Sequence, residues 1–173
     1  DIRTPMNAII GFATLASDNL DNREKLSDYI SKILSSSRHL LNLINDILDM
    51  SRIESGRLEL EFEETSLRSI IDDIRNMVDE EAASKKLDIS YDTEGIRDNA
   101  VICDRTRLCQ VLLNLVSNAV KYTEYGGKVS VLVTQHECDE PETASYEICV
   151  RDNGIGMSQE FASRIFEPFE RER

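Results

Sequence analysis

The sequence lacks the features that mark several special classes of protein. No apolar run approaches the roughly 20 residues that a membrane-spanning helix needs, so no such helix is predicted. With 3 Pro and 7 Gly in 173 residues, and without an internal repeat or a low-complexity tract, the chain resembles neither a fibrous nor a disordered protein. It has no CxxC pair, and its cysteines show no metal-ligand spacing, so we expect a reducing, cytoplasmic location. The cysteines are Cys103, Cys109, Cys138 and Cys149.

The excess of acidic residues limits the kinds of partner that the chain can bind. Its 33 acidic residues outnumber its 20 basic residues, for a formal net charge of −13 at pH 7. The negative electrostatic potential of such a chain repels the phosphate backbone of nucleic acids and the surface of anionic membranes, so we expect neither as a partner. A single nucleotide remains compatible with this charge, because Mg²⁺ and a few placed donors can screen three phosphates locally.

The first part of the chain has the pattern of an antiparallel helical hairpin. Apolar residues recur at helical spacing over residues 6–17, and the polar segment 18–22 predicts a turn. A longer helix is predicted from about residue 26 to 53, with a heptad seam that a second apolar row widens. A seam this wide suits a bundle of four helices, and dimerisation would supply the two that one hairpin lacks. The seam comprises Leu26, Ile30, Ile33, Ser37, Leu40, Ile44 and Ile47, and the second row comprises Tyr29, Leu34, Leu41 and Leu48.

After Gly56 the hydrophobic period changes, which indicates a second domain. We therefore predict an α+β chain with two domains, residues 1–55 and 56–173. Ser66, Asp104 and Ser158 are the predicted N-caps of three helices in the second domain. The predicted strands cover residues 58–62, 87–91, 100–103, 129–133 and 146–150, and the predicted helices cover residues 67–83, 105–122 and 159–165.

The helix predicted over residues 105–122 carries the first candidate site. Asn114, Asn118 and Lys121 are spaced at i, i+4 and i+7, so they share one face of this helix. Amide oxygens suit Mg²⁺ and an ammonium suits a phosphate, so this row could follow a triphosphate along about 10 Å of helix axis. A solvated helix face is the alternative interpretation of the row. The predicted apolar face of the helix consists of Leu108, Val111, Leu112, Leu115 and Ala119.

The segment Asp-Asn-Gly-Ile-Gly at 152–156 carries the second candidate site, directly after a predicted strand. Gly154 and Gly156 allow positive φ and a close approach of the backbone to a flat ligand. The carboxylate of Asp152 can accept a hydrogen bond from an exocyclic amine such as that of adenine. Asp-Asn-Gly is also an ordinary turn sequence, which is the alternative interpretation.

Four segments, taken in this order, resemble the motif boxes of sensor histidine kinases. Residues 1–7 resemble the H box, 114–123 the N box, 152–157 the G1 box and 165–169 the F box. The resemblance implies that the hairpin is half of a dimeric four-helix bundle. It also implies that the second domain is an incomplete α/β sandwich, an ATP-binding domain with a mixed sheet and helices on one face.

The resemblance implies a site for ATP and Mg²⁺ in the second domain. Asn118 would be the main Mg²⁺ ligand, with Asn114 beside the phosphates or the metal. Lys121 would neutralise phosphate charge, and Tyr122 would line the nucleotide pocket. Asp152 would bind the adenine amine. The residues that let the backbone close around the base would be Gly154, Ile155 and Gly156.

In the hairpin, the resemblance places the phosphoacceptor His directly before the position of Asp1. Asp1 would hydrogen-bond that imidazole and favour its reactive tautomer, and Thr4 would position water when a phosphorylated receiver is hydrolysed. The alternative for both residues is an acid and a hydroxyl that the helix dipole favours. His39 and His136 lack the H-box neighbours, so we expect neither to be the phosphoacceptor.

The F box and the residues that follow it complete the comparison with the family. Phe166 and Phe169 would either anchor one end of a mobile lid or simply pack in the core. The second Gly-rich box of the family should follow the F box, and it is not found in this sequence. We therefore expect this polypeptide, taken alone, to be inactive as a kinase and marginally stable.

The function implied by the resemblance is that of a protein histidine kinase in a two-component phosphorelay. A homodimer would autophosphorylate on His with ATP, transfer the phosphoryl group to an Asp of a response-regulator receiver domain, and in some states dephosphorylate that regulator. Membrane attachment would come only from parts of a parent protein outside this sequence. One alternative is a degenerate, phosphatase-biased kinase, and another is a dimerisation and binding module with a vestigial pocket. A chaperone or topoisomerase with the same ATP fold would not account for the H-box segment and the wide-seam hairpin.

Overall fold

The computed structural model describes residues 2–138 and 143–166, without the side chain of residue 46. The chain forms two compact units, Asp1–Glu59 and Leu60–Arg173. The assignment of residues 1–55 and 56–173 to a phosphoacceptor and an ATP-binding domain stays a prediction.

The first unit is the predicted hairpin, formed by α1 (Arg3–Asp18) and α2 (Arg23–Glu54). Asn22 caps α2, because its side-chain oxygen accepts a hydrogen bond from the Lys25 amide at 3.0 Å. Across the hairpin, the rings of Phe12 and Tyr29 stack with their centroids 6.3 Å apart. The cap fixes the start of α2, and the ring contact joins the two antiparallel helices.

The hairpin does not bury the apolar face of α2. Seven large apolar residues of this helix remain between 37% and 58% exposed. An exposed apolar stripe of this kind is typical of a helix face that packs against another helix in an assembly. The exposed residues are Ile30, Leu34, Leu41, Ile44, Ile47, Leu48 and Ile53.

The second unit consists of two helices and a mixed sheet, with a smaller strand pair and a short final helix. Its elements are β1 (Glu63–Ser66), α3 (Leu67–Ser84), β2 (Asp88–Gly95), β3 (Ala100–Cys103), α4 (Arg105–Tyr122), β4 (Lys128–His136), β5 (Ser145–Asp152) and α5 (Gln159–Ala162). The sheet has the order β2-β4-β5, with β4 parallel to β2 and antiparallel to β5. Strands β1 and β3 form a separate antiparallel pair. The predicted fold class, with a mixed sheet behind helices, is confirmed.

The core of the second unit lies between the two long helices and one face of the sheet. The apolar face of α3 is buried throughout, and the alternating valines of β4 face the helices. Burial of one face fixes the register of β4, because a slip by one residue would turn these valines toward solvent. The core residues are Leu67, Ile70, Ile71, Ile74, Val78, Ile96, Leu112, Val116, Val120, Val131 and Val133.

All three predicted N-caps of the second unit are confirmed. The hydroxyl of Ser66 accepts from the Ser69 amide at 3.1 Å, and that of Ser158 accepts from the Phe161 amide at 3.2 Å. Asp104 caps α4, and hydrogen bonds from the amides of Arg107 and Glu61 hold the pKa of its carboxyl below the ordinary value. The cap at Asp104 therefore also anchors the segment that precedes β1.

The predicted strand at 58–62 is wrong. Pairing with β3 begins only at Glu63, which lies opposite Cys103. Leu60 and Phe62 are 48% and 67% exposed, so their alternation does not correspond to a buried face. An alternating pattern makes a strand only where a partner strand is available, and none pairs with these residues in the described part of the chain.

Two details of the predicted helices also differ from the structure. In α4, Val111 and Leu115 are 55% and 46% exposed, while Val116 and Val120 fill the buried face instead. The sheet packs on the side of α4 opposite Asn114 and Asn118. The buried apolar face is therefore rotated around the helix axis relative to the predicted face. The last helix ends at Ala162, before the predicted residue 165, because the amide of Arg164 turns back to the carbonyl of Phe161 at 2.9 Å.

The end of α3 provides a test of backbone strain. The amides of Lys86 and Leu87 donate to Ala83 and Ala82, each at 3.0 Å, in the pattern of a Schellman motif, and Lys86 has φ +50°. A side chain in this left-handed conformation costs about 1 kcal/mol. We expect Lys86→Gly to be about 1 kcal/mol more stable than Lys86→Ala in urea unfolding, since both lose the same side chain and only alanine keeps Cβ. Equal stability of the two variants would contradict this explanation.

Candidate functional site

The outer face of α4 presents the predicted polar row to solvent. Asn114, Asn118 and Lys121 are all exposed, and neither asparagine amide hydrogen-bonds to another described side chain or backbone group. The ammonium of Lys121 lies 4.9 Å from the ring centroid of Tyr122. The two amides are therefore available for an external partner, while the cation rests on the adjacent aromatic ring.

The turn after β5 is joined directly to the end of α4. The Ile155 amide donates to the carbonyl of Tyr122 at 3.2 Å. Within the turn, the Asp152 carboxylate accepts a hydrogen bond from the Gly154 amide at 2.9 Å, which leaves its second oxygen available. The structure thus brings together two candidate sites that two strands, β4 and β5, separate along the sequence.

Gly154 is required by this junction. A Cβ at Gly154 would overlap the carbonyl oxygen of Tyr122 and lie 2.8 Å from its carbonyl carbon. Gly156 has φ +67° with open space around it, so its requirement is conformational rather than steric. The first glycine allows close packing on α4, and the second allows the turn to continue.

Asn153 anchors the turn from the other side, and sequence reasoning did not assign it a role. Its side-chain oxygen accepts from the Lys128 amide at 2.7 Å, and its own amide donates to the Lys128 carbonyl at 3.2 Å. The turn is therefore held both by α4 and by the first residue of β4. The Asp-Asn-Gly sequence was a signal for a turn, but not for the strand it would contact.

Exposed apolar side chains occur on the same two segments as the polar groups of this region. They come from α4 and from the segment after β5, and they are between 46% and 68% exposed. They are Val111, Leu115, Tyr122, Ile155 and Met157. Apolar surface beside a few convergent polar groups is the usual lining of a small-molecule site, and it fits a flat base with a polar handle at Asp152.

The chemistry of the donors also fits a metal carried by phosphates. The described residues contain no group of three or more His, Cys, Asp or Glu side chains that could hold a metal ion. Mg²⁺ commonly takes only one or two protein oxygens and completes its shell with phosphate oxygens and water. Asn118, with Asn114 one turn before it, could supply such oxygens.

The other residues singled out from the sequence lie outside the described residues or on other elements. Asp1 and Phe169 lie outside the described residues. Thr4 is exposed on the first turn of α1, in the other unit, and Phe166 is 97% exposed. His136 lies 3.1 Å from Glu147 at the far end of β4, as a surface pair.

A cavity of about 480 Å³ lies between α3 and β2. Its wall includes the Arg75 guanidinium, which lies 4.7 Å from the Tyr91 ring centroid. Burial raises the pKa of the Tyr91 phenol. None of the residues predicted to bind a nucleotide lines this cavity.

Among the helices that the structure describes, none is both long and apolar enough to cross a membrane.

Two protein families match the chain. Residues 1–56 match the His Kinase A (phospho-acceptor) domain. Residues 103–173 match the family described as histidine kinase-, DNA gyrase B-, and HSP90-like ATPase, and this range contains α4 and the turn after β5. The two matches occur in the order expected from the H, N, G1 and F boxes.

Two curated relatives come from Caulobacter vibrioides. The non-motile and phage-resistance protein is 39% identical over 98% of this chain, which spans 20% of that protein. Histidine protein kinase DivJ is 38% identical over 98% of this chain, which spans 28% of that protein. The chain therefore corresponds to less than a third of each relative.

Solved structures of similar fold are also histidine kinases. Histidine kinase ThkA in complex with response regulator protein TrrA is 30% identical, with a TM-score of 0.68, over 98% of this chain and 48% of that one. Full-length ShkA in complex with AMPPNP is 28% identical, with a TM-score of 0.68, over 95% of this chain and 34% of that one. With its two family domains in order and relatives along nearly its whole length, the chain belongs to the sensor histidine kinases.

Proposed function

We propose that the protein carrying this chain is a sensor histidine kinase that binds Mg²⁺-ATP at the junction of α4 and the turn after β5. The observation that carries the proposal is the hydrogen bond between the Ile155 amide and the Tyr122 carbonyl, which joins the two nucleotide-binding motifs into one surface. The likeness to ShkA, solved with AMPPNP, supports a nucleotide as the ligand.

Each residue of the junction has a distinct task in this proposal. Asn118 supplies an oxygen to Mg²⁺ and Asn114 supports it one turn earlier, while Lys121 leaves the Tyr122 ring to meet a phosphate. Bound ATP supplies the phosphoryl group, and these side chains orient it and neutralise its charge. Phosphoryl transfer asks mostly for positioning and electrostatics, which amides and an ammonium can provide.

The base is bound at the other end of the junction. The free carboxylate oxygen of Asp152 accepts a hydrogen bond from the exocyclic amine of adenine. The other carboxylate oxygen keeps its hydrogen bond from the Gly154 amide. The side chain of Ile155, which is 68% exposed, covers one face of the base together with Tyr122. Gly156 keeps the backbone clear of the ligand.

The hairpin provides the phosphoacceptor and the dimer in this proposal. The exposed stripe of α2 pairs with the same stripe of a second copy, which completes a four-helix bundle. A phosphoacceptor His next to Asp1 receives the phosphoryl group, and Thr4 positions water for regulator dephosphorylation. The complex of ThkA with a response regulator supports a receiver domain as the partner. Because ATP is its substrate, this part of the protein would act in the cytoplasm.

An exchange of the base-binding group tests the proposal. In the complete gene product, Asp152→Asn is expected to weaken AMPPNP binding more than about tenfold and to favour GMPPNP relative to the parent. The side-chain oxygen of the new Asn keeps the hydrogen bond from the Gly154 amide, so its NH₂ group faces the base. This donor is repelled by the amine of adenine, which is also a donor, but it can hydrogen-bond to the carbonyl of guanine. Isothermal titration calorimetry with Mg²⁺ measures both affinities.

Asp92 offers a matched control for this exchange. Its carboxylate makes the same kind of local hydrogen bond, to the Glu94 amide at 3.0 Å, on an exposed part of β2. Asp92→Asn should bind AMPPNP as the parent does. An unchanged preference for adenine in Asp152→Asn would show that Asp152 does not bind the base, and failure of the parent to bind AMPPNP would reject the proposed function.

A further inference from the structure

The last carbonyl groups of a helix have no hydrogen-bond donor within the helix. At the end of α4, each of these carbonyls accepts a hydrogen bond from another group. The carbonyl of Ala119 accepts from both the amide and the hydroxyl of Thr123, at 3.1 and 2.7 Å. The carbonyl of Tyr122 accepts from the Ile155 amide. This leaves the carbonyls of Val120, Lys121 and Thr123 to be satisfied from elsewhere.

The ammonium of Lys85 satisfies those three carbonyls. Its Nζ lies 2.8 Å from the carbonyl oxygen of Val120, 2.6 Å from that of Lys121 and 3.4 Å from that of Thr123. An ammonium has three donors, so these contacts use its full capacity. Its positive charge also lies at the negative end of the α4 dipole.

The backbone around Lys85 is held in place for this contact. Lys85 is the C-cap of α3, and the left-handed residue that follows it turns the chain into β2. The Lys85 carbonyl in turn accepts from the Gly126 amide at 3.0 Å. Lys85 therefore connects the α3–β2 turn to the α4–β4 turn through both its side chain and its backbone.

The contact lies at the point from which the nucleotide site is built. Lys121 and Tyr122, which are proposed to meet the phosphate and the base, belong to the last turn of α4. The Tyr122 carbonyl that receives Ile155 lies between the carbonyls bound by Lys85. Without the ammonium, three carbonyls lose their partner, two of them in partly buried contacts, and the last turn can shift together with the turn after β5.

We propose that Lys85 is a positioning residue of the nucleotide site: its ammonium sets the last turn of α4 and thereby places Lys121, Tyr122 and the Ile155 amide for nucleotide binding. This inference rests on the proposed function. Lys85 touches neither phosphate nor base, because its donors are already occupied by the carbonyls of α4. It acts on the ligand only through the residues that follow in the helix.

Substitution of Lys85 in the complete gene product tests the inference. Lys85→Met keeps most of the apolar stem and removes the donors, and we expect it to bind Mg²⁺-AMPPNP about tenfold more weakly. Lys85→Arg keeps the charge and several donors, and we expect its affinity to return to within about threefold of the parent. Lys86→Met removes an adjacent lysine without carbonyl contacts and serves as the matched control, with parental affinity expected.

Hydrogen exchange gives a second measurement that does not depend on the ligand. In the unliganded protein, Lys85→Met should speed exchange of the Ile155 amide relative to the Lys86→Met control, while core amides of α3 keep their protection. If Lys85→Met does not fold, Lys85→Gln, which keeps one polar head, replaces it in both measurements. In either variant, weaker AMPPNP binding with faster Ile155 exchange supports the positioning role.

The outcomes separate this inference from the proposed function. If the parent binds AMPPNP and Lys85→Met binds it equally well, Lys85 has no positioning role, whatever the variant does to thermal stability. If affinity falls but arginine restores nothing and Ile155 exchange is unchanged, the effect is not transmitted through the α4 end and the inference is wrong. If the parent itself does not bind AMPPNP, the proposed function fails and the positioning role fails with it.

Discussion

Asn118→Ala is expected to lower autophosphorylation of the complete gene product by about 100-fold or more, because it removes the proposed protein ligand of Mg²⁺. Asn118 is exposed, and its side chain bonds to no other described residue. Alanine is also the better helix former, so folding should be unchanged or slightly favoured. Transfer of labelled γ-phosphate from ATP measures the effect on activity, and urea unfolding measures the effect on stability.

The expected signature of Asn118→Ala is loss of metal-dependent binding with stability retained. Titration of AMPPNP with and without Mg²⁺ separates the contribution of the metal to the affinity from that of the base. The variant should lose most of the affinity that Mg²⁺ adds. Asn76, an exposed asparagine in the middle of α3, is the matched control. Asn76→Ala should keep parental activity. If Asn118→Ala kept the full Mg²⁺-dependent affinity, Asn118 would not be the metal ligand, and other groups would hold Mg²⁺.

Gly154→Ala is expected to lower the free energy of unfolding by about 3 kcal/mol and to abolish detectable AMPPNP binding. The added Cβ would overlap the Tyr122 carbonyl, which is backbone in the last turn of α4 and cannot rotate away as a side chain could. To relieve the overlap, the turn after β5 has to leave α4, which breaks the hydrogen bond from Ile155 to Tyr122. Urea unfolding and calorimetric titration measure the two effects.

Gly156→Ala is the comparison that separates steric overlap from backbone conformation. Gly156 has φ +67° with nothing within 4 Å of an added Cβ, so alanine there should cost only about 1–2 kcal/mol. A Gly154→Ala variant that is no less stable than Gly156→Ala would show that the turn can move away from α4 at little cost. The close approach would then not be a requirement of the site.

Local sequence signals predicted most of the secondary structure of the second unit. Asp104 and Ser66 are good N-caps followed by apolar residues at helical spacing, and the helices begin where they predict. The predicted bounds of α4 and β3 agree with the structure. These signals act between residues a few positions apart, so they can be found without knowing what lies on the other side of the chain.

The errors arose where the partner of a segment decided its structure. Leu60 and Phe62 alternate as a strand would, but pairing with β3 starts after them. Val111 and Leu115 fit a helical stripe as well as Val116 and Val120 do, and only the position of the sheet shows which pair is buried. Hydrophobic periodicity gives the repeat of a helix, but neighbouring apolar rows leave its orientation open.

The candidate site divides in the same way. Its residue types and spacing were readable, because Asn114, Asn118 and Lys121 lie on one helix and Asp152 to Gly156 on one turn. The assignment of these residues to Mg²⁺ and the nucleotide stays a prediction. Lys85 left no signal, since a lysine after an amphipathic helix is ordinary and its three acceptors are 35 to 38 residues away.

The sequence by itself determined the hairpin, the α+β second unit, the helix caps and the family motifs, because each depends on short-range spacing or on a local run of residue types. Only the tertiary structure decided that Gly154 packs on Tyr122, that Ile155 bonds to the end of α4, and that Lys85 occupies the remaining carbonyls there. Those contacts join segments that are distant along the chain. Their geometry is set by how α3, α4 and the sheet pack together, which no single segment encodes.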